Sequence, residues 1–173
     1  SILARTGKPA EAASILSRLI SDDPENAEAI SVLGEIADSV EGDSAQTIAG
    51  ALKQAVYANP GNVTLTDTLA RLLARLNAFD EAANLLKRNI ALLRKDDVRA
   101  ASTLAVSLAE LHLQKDRYDD AAAAYDNALA VRGIASAALV GNEDREFVQY
   151  VLEKLIHAAK LANRPQAVRA AIE

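Results

Sequence analysis

Cysteine, methionine and tryptophan are absent from the 173 residues, and only four Tyr and two Phe occur. Without Cys there is no disulfide, no thiol nucleophile and no thiolate metal site. No apolar run reaches the roughly 20 residues that a membrane helix needs, so membrane insertion is not expected. No basic segment followed by an apolar stretch opens the chain, so no signal peptide is visible, which says little of the compartment: it stays open, with the cytoplasm favoured and the periplasm the alternative. With no initiator Met, the chain reads as an excised or processed piece of a larger bacterial protein. Positive charge is also in short supply. Nineteen Lys and Arg face 24 Asp and Glu, a net charge of −5. Nucleic acid and anionic membrane are therefore not expected as partners.

What is present is alanine and leucine, 37 and 23 residues respectively, in a chain that is half apolar. Both are strong helix formers, and only four prolines interrupt them. The length suits one or at most two domains. A charged fraction of 25% beside that apolar content argues against disorder. Small side chains let helices approach closely, and scarce aromatics mean a thin, distributed core. Together they point to stacked helix pairs.

An internal repeat carries this further. Ala12 stands four residues ahead of Leu16, Ala82 ahead of Leu86 and Ala121 ahead of Tyr125, with Ile48 and Leu52 in the same places. A second apolar site follows at Ile20, Val56, Ile90 and Leu129. Each segment is preceded by a turn residue, Gly7, Asp43, Asn77 or Asp116, spaced by 36, 34 and 39 residues. These residue types tolerate left-handed backbone or bond their own backbone locally. Before each turn lies another apolar set with helical spacing. The sets are Ile30, Leu33, Gly34, Ala37; Thr66, Leu69, Ala70, Leu73; Ala105, Leu108, Ala109, His112; and Leu152, Leu155, Ile156, Ala159. The pattern predicts helices over 1–6, 9–22, 26–41, 44–58, 62–76, 79–95, 98–115, 118–132, 143–162 and 165–173. Pro24 and Pro60 end helices, because proline cannot continue one. Pro9 and Pro165 sit near helix starts, where the missing N–H costs nothing. Asn142 is positioned to cap a helix beginning Glu143-Asp144.

With Asn-Pro-Gly-Asn at 59–62 and Tyr-Asp-Asp-Ala at 118–121, the chain resembles the tetratricopeptide repeat (TPR) family, whose period is about 34 residues. The resemblance covers essentially the whole chain. It implies an all-α, right-handed α-solenoid of stacked antiparallel helix pairs, a TPR-like superhelix. On this reading 1–173 is one domain: a partial unit 1–26, units 27–61, 62–97 and 98–133, an irregular connection 133–142 and a partial unit 143–173. The sequence departs from the family where a first-helix Trp is expected; Ile30, Thr66, Ala105 and Leu152 stand there.

Such stacks present a groove lined mainly by the first helix of each pair. The residues beside each core stripe are the candidates for binding a protein or peptide partner: Glu28, Ser31, Glu35 and Asp38; Asp67, Arg71 and Arg75; Val106, Glu110 and Leu113; Tyr150, Glu153 and His157. Residues 1–43 hold three basic and nine acidic side chains, net −6, which suits a basic partner at the N-terminal part of the groove. Arg71 and Arg75, one turn apart, could hold a carboxylate. A solvated face that keeps an Ala-rich repeat soluble explains the same charges. Some TPR co-chaperones grip a C-terminal carboxylate with a Lys/Asn/Arg clamp. Ser31, Glu35 and Asp67 stand at the matching positions here and do not fit it. Val106, Leu113 and Tyr150 either seat a partner's apolar anchor or pack against a neighbouring helix. His112 falls on the core stripe and His157 on the groove side.

No catalytic constellation is found, and the chain is not read as an enzyme. A lone His with Glu153 makes no metal site. The seven glycines form no phosphate loop. Acid pairs at helix ends are caps and dipole partners, not acid/base pairs. No cofactor is expected. The reading is a protein–protein interaction scaffold. The alternatives are the non-catalytic TPR region of a larger enzyme such as a glycosyltransferase, or of a periplasmic exopolysaccharide export machine. Incomplete terminal units would also allow homo-oligomers.

Overall fold

A computed structural model describes residues 8–134 and 144–162. The expected segments 1–6 and 165–173, the turn at Gly7, Pro165 and the Asn142 cap lie outside the described residues. Among the described residues eight helices follow in order: α1 Pro9–Asp22, α2 Ala27–Ser39, α3 Asp43–Ala58, α4 Val63–Arg75, α5 Phe79–Leu93, α6 Val98–Leu113, α7 Tyr118–Val131 and α8 Arg145–Leu161. No strand occurs among the described residues. The fold is an all-α, TPR-like repeat of helix pairs.

Helix boundaries follow from local chemistry repeated along the chain. Pro9 opens α1 within its first turn. Asn26, Asn62 and Asp97 cap α2, α4 and α6, accepting from the N–H of Ala29, Leu65 and Ala100 at 2.9–3.0 Å. Each side chain satisfies one of the N–H groups a helix start leaves open. At the other ends, Asn77 and Asp116 take φ of 60° and 54°. Behind Asn77, Ala78 N–H reaches Leu73 O at 2.8 Å and Asn77 N–H reaches Ala74 O at 3.0 Å. Behind Asp116 the same pair runs Arg117 to His112 and Asp116 to Leu113. Gly133, at φ 76°, repeats it with Ile134 to Leu129 and Gly133 to Ala130. All three are Schellman caps, which use a left-handed residue to close the final turn. Asp43 does not play that part. Gly42 takes the left-handed conformation, φ 65°, and Asp43 becomes the first residue of α3. Glycine has no Cβ to oppose this backbone, and the acid gains from the helix dipole.

The chain forms two compact units, residues 1–85 and 86–173. In the first, α1 packs on α2 and α3, α2 on α4, and α3 on α4. First helices thus stack on first helices and second on second, at the period of the repeat. Ile20, Leu33, Ile48, Leu52, Leu65 and Leu69 are fully buried there. Asn59 Nδ2 donates to Pro24 O, tying two equivalent Pro turns together. In the second unit α6 packs on α7, and α7 on α8. Only Gln114–Arg117 separates α6 from α7, so these neighbours run antiparallel. Leu104, Tyr125, Val151 and Leu155 form this core. Ala12, Ala82 and Ala121 are all buried. A methyl group at these sites lets helix axes come close, which is what the periodic alanine provides.

The ends of the long connection are fastened by one residue. Arg132 Nε and Nη2 both donate to Asp144 Oδ1, at 2.7 and 2.6 Å. Its guanidinium also lies 4.1 Å from the Phe147 ring centroid. The end of α7 is thereby joined to the start of α8 on either side of the segment 135–143.

Candidate functional site

In the first unit the candidate residues lie along α2 and α4. Glu28, Ser31, Glu35 and Asp38 are exposed on α2, at the spacing of one helix face. Arg71 and Arg75 are exposed on α4, and Asp67 is half-buried. The structure engages several of them. Arg71 pairs with Asp38 across the two helices (Nη1 to Oδ1, 3.2 Å) and with Asp67 one turn back (Nε to Oδ2, 3.1 Å). Arg75 Nη1 donates to the carbonyls of Ala37 and Asp38, both at 3.1 Å, and Nη2 to Val40 O. Arg75 therefore caps the C-terminal end of α2, whose last carbonyls have no partner inside the helix. The side chains of Glu28 and Glu35 make no hydrogen bond or ion pair among the described residues. They are the unpaired acids among the candidates on this face.

In the second unit the candidates lie along α6 and α8. Val106 and Leu113 are half-buried, and Glu110 is exposed. Tyr150 Oη donates to Glu110 Oε1 at 2.6 Å, joining α8 to α6. That hydrogen bond, more than burial, pushes the Tyr150 hydroxyl up to about 12. Lys154 Nζ sits 5.5 Å from the same ring centroid. Tyr150 is nevertheless 40% exposed, so it both packs and faces solvent. Glu153 accepts from Gln149 at 3.2 Å, and His157 is exposed. Beneath this face, the fully buried Tyr125 hydroxyl has no hydrogen-bond partner among the described residues, and burial raises its pKa.

A second feature was not legible from the candidate positions. On the side of the second helices, Ile90, Leu108, Ala123 and Ala124 line an open groove of about 510 Å³, with Lys87, Arg94, His112 and Asp120 at it. The only sequence signal for it is three small residues, Ala91, Ala123 and Ala124, facing one another across α5 and α7. His112 is buried, as its place on the core stripe implies, and its Nδ1 lies 3.9 Å from Asp120 Oδ2.

Burial lowers the His112 pKa from 6.5, and Lys87 and Arg117 add to this against the opposing pull of Asp120. The unfolded chain then binds a proton that the folded chain rejects. Stability is therefore full above about pH 6.5 and falls as pH drops below it, until the lowered folded value is passed. The slope is at most about 1.4 kcal/mol per pH unit, the value for one proton. Urea unfolding between pH 7 and 5 will show this loss, and His112→Leu will flatten it.

No group of three His, Cys, Asp or Glu able to hold a metal occurs among the described residues. No described helix is long and apolar enough to cross a membrane.

Helix pairs with N-caps and left-handed C-caps recurring at this period define a helical-repeat protein with a TPR-like fold. Residues 103–146, from α6 into α8, match the model of the tetratricopeptide repeat. Among solved structures, the crystal structure of MamA protein aligns at 17% identity with a TM-score of 0.56. The alignment covers 97% of this chain and 81% of that one. BtubC (BKLC) from P. vanneervenii aligns at 16% identity and a TM-score of 0.54, over 94% of this chain and 84% of that one. At these identities the likeness is one of fold. No curated protein matches the sequence.

Proposed function

We propose that the chain is a protein–protein interaction scaffold whose first-helix face receives a peptide or helix of a partner protein. The observation that carries this is the α2 stripe. Glu28, Ser31 and Glu35 stand exposed on one face of a helix in a TPR-like repeat, and neither acid is paired within the described residues. Acids elsewhere on this face are paired in place, as Asp38 and Asp67 are with Arg71. Unpaired acids favour a basic segment. A carboxylate held by Arg71 and Arg75 has less support, since both guanidinium groups already have partners. In the second unit, Val106 and Leu113 beside Glu110 supply an apolar strip with an acidic edge, suited to the same kind of ligand. The division into units 27–61, 62–97 and 98–133 within a single domain is proposed on the spacing of the caps at Asn26, Asn62 and Asp97.

A fluorescein-labelled peptide of alternating Lys and Leu tests this. Saturable binding by anisotropy is expected, with a loss of about tenfold in Glu28→Lys/Glu35→Lys, each close charge pair being worth about a kcal/mol or less when exposed. Equal binding by the charge-reversed protein overturns the reading.

A further inference from the structure

We propose that the groove between α5 and α7, on the side of the second helices, docks a short acidic segment of a partner protein. Carboxylates would sit at Lys87 and Arg94, and an apolar side chain would sit over Ala123. This site is separate from the first-helix face.

Room comes first. Ala91 and Ala123 offer only methyl groups at the groove, above a floor that includes Ile90 and Leu108. About 510 Å³ is enough for one or two large side chains, within the size range of binding clefts. Both alanines are exposed, so nothing in the described structure fills the space above them.

Charge selects the occupant. Lys87 and Arg94 are seven residues apart, two helical turns, and so lie on one side of α5. Neither side chain makes an ion pair or hydrogen bond among the described residues. Asp120 is the one acid at the groove. The groove is thus cationic in a chain whose net charge is −5. A basic segment would be repelled. Nucleic acid is disfavoured because the floor is aliphatic and lacks an aromatic on which a base could stack.

A buried polar group points the same way. The His112 side chain is 9% exposed and lines the groove. Its Nδ1 is 3.9 Å from Asp120 Oδ2, beyond hydrogen-bond distance, and no other partner is present among the described residues. The imidazole is open to the groove, so a docked peptide could hydrogen-bond it in place of water.

The test is fluorescence anisotropy with a labelled 12-residue peptide of Asp, Glu, Leu and Phe. Saturable binding is expected. Lys87→Glu/Arg94→Glu should weaken it by about tenfold or more, as reversal of close charge pairs does. Ala123→Trp, at an exposed position, should weaken it similarly by filling the groove, with the helical circular-dichroism signal retained. Glu28→Lys/Glu35→Lys should leave it unchanged. The proposal is overturned by absence of saturable binding, by equal binding of a peptide with every acid replaced by Lys, or by indifference to the groove variants. It is equally overturned if a single-stranded oligonucleotide of matched charge binds as well, or if only the first-helix variant matters.

Discussion

Tyr125→Ala is expected to destabilise the chain by about 4 kcal/mol, near the top of the range for truncating a large core side chain. Tyr125 has no solvent exposure and is the largest fully buried side chain among the described residues. It occupies the repeat position held by Leu52 and Leu86, and itself follows the buried Ala121 by four residues. It therefore fills the space between α7 and the helices on both sides of it. Truncation leaves a cavity that rigid helices close only in part. Its hydroxyl contributes nothing to this, since it is buried without a partner. Tyr125→Phe removes an unsatisfied polar group and keeps the ring, so it should be neutral or stabilising by about 1 kcal/mol. Urea midpoints for the two variants separate these contributions. A large loss in the Phe variant would mean that the hydroxyl is satisfied.

Arg132→Ala is expected to cost about 2–3 kcal/mol, below the usual cost of breaking a buried pair because Asp144 is partly hydrated. The Arg132 side chain is 11% exposed and that of Asp144 29%. Removing the guanidinium takes away both donors to Asp144 Oδ1 and the cation over Phe147, and leaves a carboxylate half-buried and unpaired. The loss should be local as well as global. Amide exchange will rise most along α8, because this pair anchors its first turn to the end of α7. Arg132→Lys keeps the charge but cannot place two donors on one oxygen while lying flat on a ring, so it should recover less than half. Uniform exchange across all helices in Arg132→Ala would argue against the anchoring role.

The two kinds of feature in this chain were unequally visible in the sequence. The helices were legible because their causes lie within a few residues. Proline at 24 and 60, caps at the residue three before the first paired N–H, and left-handed Asn77 and Asp116 all act locally. Predicted and observed helices agree within about two residues over most of the chain. The exception at Asp43 was also local: two adjacent turn residues competed, and glycine took the strained position because it has no Cβ. The candidate residues of the first-helix face were legible as a surface, since a 3.6-residue period separates buried from exposed positions.

What those surface residues do was decided by tertiary structure. Arg75 sits 35–38 residues from the carbonyls it caps, and Arg71 sits 33 residues from Asp38. Periodicity places each on a face and says nothing of which group the next helix sets opposite it. The cationic groove has the same origin. Lys87, Arg94, Ala123 and His112 come from three helices, and their proximity exists only once α5, α6 and α7 pack. The sequence by itself determined a repeat of capped, alanine-seamed helices. Only packing decided which charges are neutralised within the chain and which remain for a partner, because a charge pair forms over a few ångströms of space and not over a distance along the chain.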